Sequence, residues 1–417
     1  MTSGDLISSS RTPSASAGSR VPGFPAFLVV STRATRDLKH ALLHGVIART
    51  FRHMTETLPP LRLLHVDAGR EWRGGQRQVF LLARGQRERG HEPLVIAQAD
   101  SPLLKRVRAA GLAGSSLRMR GDWDLAAARR LRSHIKAWRP DVVHAHDARS
   151  HALAMVALVG LKRVPLVVTR RVIFVPKGRL KYGRRVSRFV AISGAVRDAL
   201  VAGGVEPGRI DIVYSGVPTP TVAPARDWRA ELGWPADAVI CGLVGAMTSE
   251  KGTTLLHDIV HHLSSAARER CRLVLLGGRG AGLDEVAGVP CFRAGFVDAI
   301  TPAMAGLDVL WHPSAAEGLG TSVIDAMALR IPPVAFEVGG LPELIPSGEA
   351  GMLVPAGDVV AFGRTASHLV EDAELRQRLG AAGPGQAARF GVDQMVAGND
   401  TVYRTILPAQ TSGGTRG

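Results

Sequence analysis
From Leu61 onward the chain alternates short apolar runs with amphipathic helical stretches, and it does so twice. The first series holds LRLLHV (61–66), PLVIAQ (93–98), DVVHA (141–145), PLVVTR (165–170), RFVAIS (188–193) and RIDIVYSG (209–216). The second holds AVICGLVG (238–245), CRLVLLGG (271–278), CFRAGF (291–296), DVLWHPS (308–314) and PPVAFE (332–337), with helices between. Between the series lies VPTPTVAPA (217–225), a proline-rich linker. Runs this dense in Val, Leu and Ile suit strands covered by helices on both faces. The pattern therefore predicts an α/β chain of two Rossmann-like lobes around a cleft. At 417 residues each lobe can bury its own core. Open α/β sheets bind ligands at the carboxyl ends of their strands, which puts the expected site in that cleft.

The richest stretch is WHPSAAEGLGTSVIDAMALRIPPVAFEVGGLPELI (311–345), read as strand, Gly-rich turn, helix, strand, and a Gly-Gly turn opening another helix. Glu317 and Asp325 lie eight positions apart, the first at the turn and the second two turns into the helix. Gly318 and Gly320 let backbone N–H groups approach a ligand, and Thr321 or Ser322 can cap the helix start. A helix N-terminus favours phosphate, and a carboxylate in front of it suits the hydroxyls of a sugar attached to that phosphate.

This stretch resembles the E-x7-E signature of the family 4 retaining glycosyltransferases of GT-B fold, through Glu317, Gly318, Gly320, Ser322, Pro333, Val334, Ala335, Gly339, Gly340 and Glu343. Asp325 stands where the family carries a second Glu. The resemblance covers roughly residues 61–407 and implies a metal-independent transferase without a cofactor, using a nucleotide-diphosphate sugar as donor. It implies that Glu317 meets the donor sugar's hydroxyls, that Asp325 holds the ribose, and that Lys251 of TSEKG faces the leaving diphosphate. Gly318, Leu319, Gly320, Thr321 and Ser322 would line the donor, with the base beside Gly295, Phe296 and Val297. The family's arginine of R-x4-K is replaced by Ala246; Thr248, Ser249, Arg170, Arg171 and Arg279 are the other candidates to reach the diphosphate. In the first lobe, alternation puts His144 and His146 on one side of a strand end, and the resemblance sets His146 against the reacting sugar. Gly74, Gly75 and Arg73 resemble the family's loop to phosphate and acceptor, where Arg70 and Arg73 either bind an anionic acceptor or are solvated. The final helix would pack back on the first lobe. The expected boundaries are an extension over 1–60, a first lobe over 61–215, a hinge over 216–236, a second lobe over 237–390, the returning helix over 391–407 and a tail over 408–417.

Other patterns carry less. Asp122-Trp-Asp124 sits directly before a helical run, so helix capping explains it better than metal binding. GGRGAG (277–282) lacks the strand–turn–helix frame of a dinucleotide loop, and His257, His261 and His262 share a helix surface. Zinc at His144 and His146 lacks an evident third ligand. A hydrolase would need two carboxyls facing one bond, and the first lobe offers no second candidate. Cys241, Cys271 and Cys291 lack metal-ligand spacing and read as small hydrophobes in a reducing, cytoplasmic setting.

The net charge of +16 is partly concentrated between Arg170 and Arg188, which hold eight cations and no acid. Anionic lipid, an anionic acceptor or a solvated face would each account for it; scarce aromatics argue against a nucleic-acid platform. The expected acceptor is a glycan or lipid-linked molecule of the cell envelope, with peripheral membrane contact. The alternative is a non-catalytic GT-B-like binding protein docked on an anionic surface. The Ser-, Gly- and Pro-rich leader does not read as a signal peptide, and Met54 is the expected functional start.

Overall fold
A computed structural model describes residues 59–178, 181–220 and 224–408. The N-terminal extension with Met54, Arg179, part of the proline-rich linker and the tail from 409 lie outside the described residues. The first lobe runs β1 (Arg62–Asp67), α1 (Gly74–Glu88), β2 (Glu92–Ala97), α2 (Pro102–Ala109), β3 (Ala113–Ser116), α3 (Leu125–Trp138), β4 (Val142–Ala145), α4 (Ala148–Ala157), β5 (Leu166–Arg170), β6 (Arg188–Ala191), α5 (Gly194–Ala202) and β7 (Ile210–Ile212). Its strands are parallel in the order β3-β2-β1-β4-β5-β6-β7. The strand order reverses between β1 and β4, where the two flanking loops part and leave a crevice. The register there sets His65 beside His144.

The second lobe runs α6 (Trp228–Leu232), β8 (Val239–Val244), α7 (Leu256–His261), α8 (Ser265–Arg270), β9 (Cys271–Val286), β10 (Val289–Gly295), α9 (Ile300–Ala305), β11 (Val309–His312), α10 (Thr321–Ala328), β12 (Pro333–Phe336), α11 (Leu341–Leu344), β13 (Met352–Val354), α12 (Val359–Glu371) and α13 (Ala373–Ala387). Its order is β10-β9-β8-β11-β12-β13, again with a switch point, between β8 and β11. The sheet is parallel except for β9 and β10. No helix separates those two: Ala287 (φ 46°) and Gly288 (φ 84°) form a tight turn of the left-handed kind that joins antiparallel strands. GGRGAG lies within β9, where Gly277, Gly278, Gly280 and Gly282 all take positive φ and the ladder is bulged.

The last helix, α14 (Val392–Ile406), returns to the first sheet. Met395, Val396, Val402 and Tyr403 share a buried cluster with Leu61, Leu63, Val142, Val167 and Val190. The two lobes also share apolar packing: Ile192 and Val196 belong to one cluster with Leu319, Leu341 and Leu344. No helix among the described residues is long and apolar enough to cross a membrane.

Candidate active site
The second lobe's switch point is built around Glu317. Its Oε2 takes a very short ion pair from Lys251 Nζ and lies 3.1 Å from His312 Nε2. Ser314 Oγ holds the same ring nitrogen at 3.2 Å. Lys251 arrives from the turn after β8, and His312 from the end of β11. Burial would raise the carboxyl's pKa, but His312 and Lys251 outweigh it and bring it down to about 2. Glu317 is thus an acceptor-only carboxylate at any ordinary pH. Ala246 lines the same small hollow, of about 10 Å³, as Lys251, His312 and Ser314. The position where the resemblance expects an arginine therefore faces this site.

Glycines shape the turn by close approach. Gly340 N–H donates to the Glu317 carbonyl at 3.1 Å, and a Cβ at Gly339 (φ 55°) would stand 1.8 Å from that oxygen. A Cβ at Gly318 would meet the Arg171 carbonyl at 2.1 Å, while Ser193 Oγ donates to the Gly318 carbonyl at 2.6 Å. Glu343 of α11 reaches the first lobe, accepting from the N–H groups of Gly194 (3.0 Å) and Ala195 (3.3 Å) and from Tyr214 Oη (2.9 Å). The Gly-Gly-x-x-Glu turn thus anchors Glu317 at one end and the start of α5 at the other.

The cap of α10 differs from expectation. Gly320, at φ 97°, is the N-cap, and no side chain caps the helix. Thr321 and Ser322 are its first two residues, because only glycine accommodates the left-handed backbone that opens it. The start of α10 therefore keeps N–H groups for an incoming anion. Leu319 is buried in the core and supports the turn from behind. Asp325 stands about one turn into α10, not two. Both its oxygens are held by Arg77 of α1, one at 3.0 Å and the other in a shorter contact. Gly74 opens α1 on the same side: a Cβ there would lie 3.5 Å from Thr321 Oγ1, and one at Gly75 3.7 Å from Arg171 Cδ.

The first lobe's switch point carries a cluster of histidines. His65, His144 and His146 are buried, with ligand atoms all within 4.8 Å of one another. His65 thus supplies the third imidazole that spacing alone left unseen. As a metal site the cluster is preoccupied. His65 bonds Gln86 and His146, and His144 bonds Tyr403 and Thr169. Burial lowers His65 to about 4 and takes His144 and His146 well below their ordinary value, so all three are neutral. Arg171 Nη1 donates to the His146 carbonyl at 3.0 Å, tying β4 to the loop after β5.

A first-lobe carboxyl also emerges. Asp67, at the end of β1, accepts from Gly69 N–H at 2.8 Å and from Gln76. Burial and then Asp147 push it up to about 6. Neither Asp67 nor Arg77 carries a local motif. Their sequence signal is only position, one at the end of a strand and the other in the first turn of the helix that follows it.

Other expected residues have surroundings of their own. Arg73 is exposed and paired with Glu71 at 2.6 Å. Phe296 is exposed, Val297 packs on the core, and Asp298 beside them pairs with Arg106 of α2. Arg70 lines a separate polar cavity of about 400 Å³ with Gln98, Asp100, Ser101 and Arg118. Asp124 caps α3 through Ala127 N–H, and Asp122 pairs with Lys181 at 3.2 Å. Much of the basic segment is internally engaged. Arg170 bonds Tyr182 and the Phe174 carbonyl, Arg185 the carbonyls of Leu158, Leu161 and Val164, and Arg188 pairs with Asp211. Lys177, close in sequence to exposed Val172, Phe174 and Val175, remains exposed, and so does Arg184.

Comparison with known proteins agrees with this layout. Residues 72–220 match the model for Glycosyltransferase Family 4, and residues 238–372 that for Glycosyl transferases group 1. The chain is 28% identical over 393 residues to the 2-deoxystreptamine N-acetyl-D-glucosaminyltransferase of Streptomyces fradiae, covering 82% of this chain and 93% of that enzyme. It is 31% identical over 293 residues to the D-inositol 3-phosphate glycosyltransferase of Streptomyces bingchenggensis, covering 65% of this chain and 62% of that enzyme. Anabaena Alr3699/HepE, solved with UDP and glucose, shares the fold at TM-score 0.70 and 18% identity, over 83% of this chain and 100% of that one.

Proposed function
We infer, for a chain that belongs to the family 4 glycosyltransferases, that the cleft between its two switch points transfers a sugar with retention of anomeric configuration from a nucleotide-diphosphate donor. The protein is a glycosyltransferase acting on a sugar nucleotide. The observation that carries the finer reading is the Glu317 carboxylate, kept ionised by His312 and Lys251 in front of the uncapped start of α10. An acceptor-only carboxylate suits sugar hydroxyls, and the Lys251 ammonium with the free N–H groups of α10 suits the diphosphate. As the glycosidic bond breaks, charge grows on the leaving phosphate. Donors fixed there in advance are worth more in a closed cleft than in water.

Asp325 would take the ribose hydroxyls, and His146 would stand against the sugar. Besides Lys251, Arg77 on Asp325 and Arg171 beside the glycine loop at Gly75 are the cations that would compensate for Ala246. No metal is required in this scheme, since Lys251 and the helix start bear the phosphate charge. UDP in the solved relative makes a uridine nucleotide the first donor to try. The acceptor is a glycan or lipid-linked molecule, and the exposed Val172, Phe174 and Val175, with the exposed cations Lys177 and Arg184, would touch an anionic membrane. Incubation with UDP-sugars and candidate acceptors, with and without chelator, tests this reading. Transfer with the donor's anomeric configuration kept supports it; an inverted product or a strict metal requirement contradicts it. Ala246 favours one second reading, a binding protein without turnover, which would bind nucleotide and release no sugar.

A further inference from the structure
A buried chain of side chains between α1 and β4 has one loose end. Gln86 of α1 is fully enclosed. Its Nε2 donates to Tyr403 Oη at 3.3 Å, and its Oε1 stands 2.8 Å from His65 Nε2. An amide oxygen only accepts, so His65 carries its proton on Nε2 and offers a lone pair at Nδ1. That lone pair lies 2.9 Å from His146 Nε2, which must therefore carry the proton of its own ring. The second branch closes consistently. Tyr403 Oη donates to His144 Nδ1 at 2.7 Å, and His144 Nε2 donates to Thr169 Oγ1 at 2.7 Å.

What is left over is His146 Nδ1, buried and without a partner. Turning the Gln86 amide over would reverse every donor and leave a buried N–H at that position instead. Arg171, whose Nη1 donates to the His146 carbonyl, brings positive charge beside the ring and favours the lone pair. A buried acceptor that no protein group satisfies is costly, and a ligand hydroxyl would relieve it. His146 follows β4 at the switch point, and Arg171, bonded to its backbone carbonyl, also borders the glycine loop at Gly75 and, through its own carbonyl, the turn at Gly318.

We propose that Gln86 and His65 are positioning residues that hold His146 in its Nε2–H tautomer, so that Nδ1 accepts a hydrogen bond from a hydroxyl of the sugar being transferred. The proposal rests on the glycosyltransferase reading for the identity of that sugar, but the tautomer can be read without any substrate. Nitrogen-15 NMR of histidine-labelled full-length protein, with the His146 signals assigned by their loss in His146→Gln, should show an unprotonated Nδ1 and a protonated Nε2. His65→Leu should mix the two tautomers and lower kcat about 10- to 100-fold with donor KM unchanged, the loss of one aligned hydrogen bond. His65→Asn, whose side-chain oxygen can still accept from His146 Nε2, and Gln86→Glu, which still accepts from His65, should keep the tautomer and most of the activity. These two variants also guard against a His65→Leu protein that does not fold. A protonated Nδ1 in an active wild type overturns the relay, as does full kcat in a folded variant whose tautomers have mixed. A wild type with the expected tautomer that transfers nothing overturns the enzymatic reading instead.

Discussion

Arg77 of the first lobe holds both carboxylate oxygens of Asp325 in the second, across 248 residues of sequence. Both side chains are mostly buried, and a fork-to-fork pair of this kind fixes orientation as well as distance. It also occupies the acid proposed for the ribose. Donor binding then has to take over oxygens that already have a partner.

This competition is measurable. Arg77→Ala should destabilise the donor-free protein by about 2 kcal/mol, because Asp325 is left buried and unpaired. With nucleoside diphosphate at saturation the loss should shrink, since ribose hydroxyls then share the carboxylate. Thermal unfolding of both proteins with and without ligand measures the difference. An equal loss in both conditions would mean that the ribose does not reach Asp325.

Lys251→Ala removes the cation proposed for the leaving phosphate and also Glu317's short ion pair. Removing a fixed donor to developing charge typically costs about 100- to 1,000-fold in kcat. The same fall is expected here, in steady-state transfer assays, with protein stability much less affected.

Gly339→Ala should damage the site through the backbone. The new Cβ would stand 1.8 Å from the Glu317 carbonyl at a residue with φ 55°. Steric and conformational strain together predict a loss of about 2–4 kcal/mol. A Gly339→Ala protein with wild-type melting temperature and activity would contradict this account of the turn.

Acid should destabilise the protein well above the pH at which Glu317 titrates. His65 falls from 6.5 to about 4 on folding, and His144 and His146 also move down, each through burial first. The unfolded chain binds these protons and the folded one does not, so stability is lost as pH drops below 6.5 and through about 4. His65 alone contributes on the order of 3 kcal/mol to that loss. Asp67, raised from 3.8 to about 6, opposes it by gaining a proton in the folded state first. One such carboxyl does not offset three histidines. Glu317, lowered from 4.5 to about 2, extends the loss below pH 4.5. Urea titrations from pH 7 to 4 should therefore give steadily falling unfolding free energies, and a flat profile would show that the histidines are not buried neutral.

What the sequence made legible was local. The stretch from Trp311 to Ile345 carries part of its contacts within itself, as when Gly340 donates to Glu317 or His312 bonds it five residues away. Its glycines and acids are consequently readable in order. Arg77, His65 and Gln86 are not legible, because their partners come from distant elements or the other lobe, and Asp67 stands in no motif that marks its partners Gly69 and Gln76. His65 looked like one residue of an apolar strand until the register set it beside His144. The edge strand Ala113–Ser116 carries no strand signal, because AGSS lacks the branched side chains that mark a strand. The antiparallel turn at Ala287-Gly288 is hidden for a similar reason, since Ala at positive φ is not a turn signal.

Lys251 and the start of α10 are proposed to bind a nucleotide diphosphate, and this binding underlies the rest. It is tested most directly by melting the wild type and Lys251→Ala with UDP, GDP, ADP, CMP and dTDP. A ligand at 100-fold its dissociation constant stabilises by about 2.7 kcal/mol, enough to raise the melting temperature by several degrees. Such a rise is expected with one nucleoside diphosphate, UDP foremost, in the wild type, and little or none in Lys251→Ala. No rise with any of them, or an equal rise in both proteins, would contradict it.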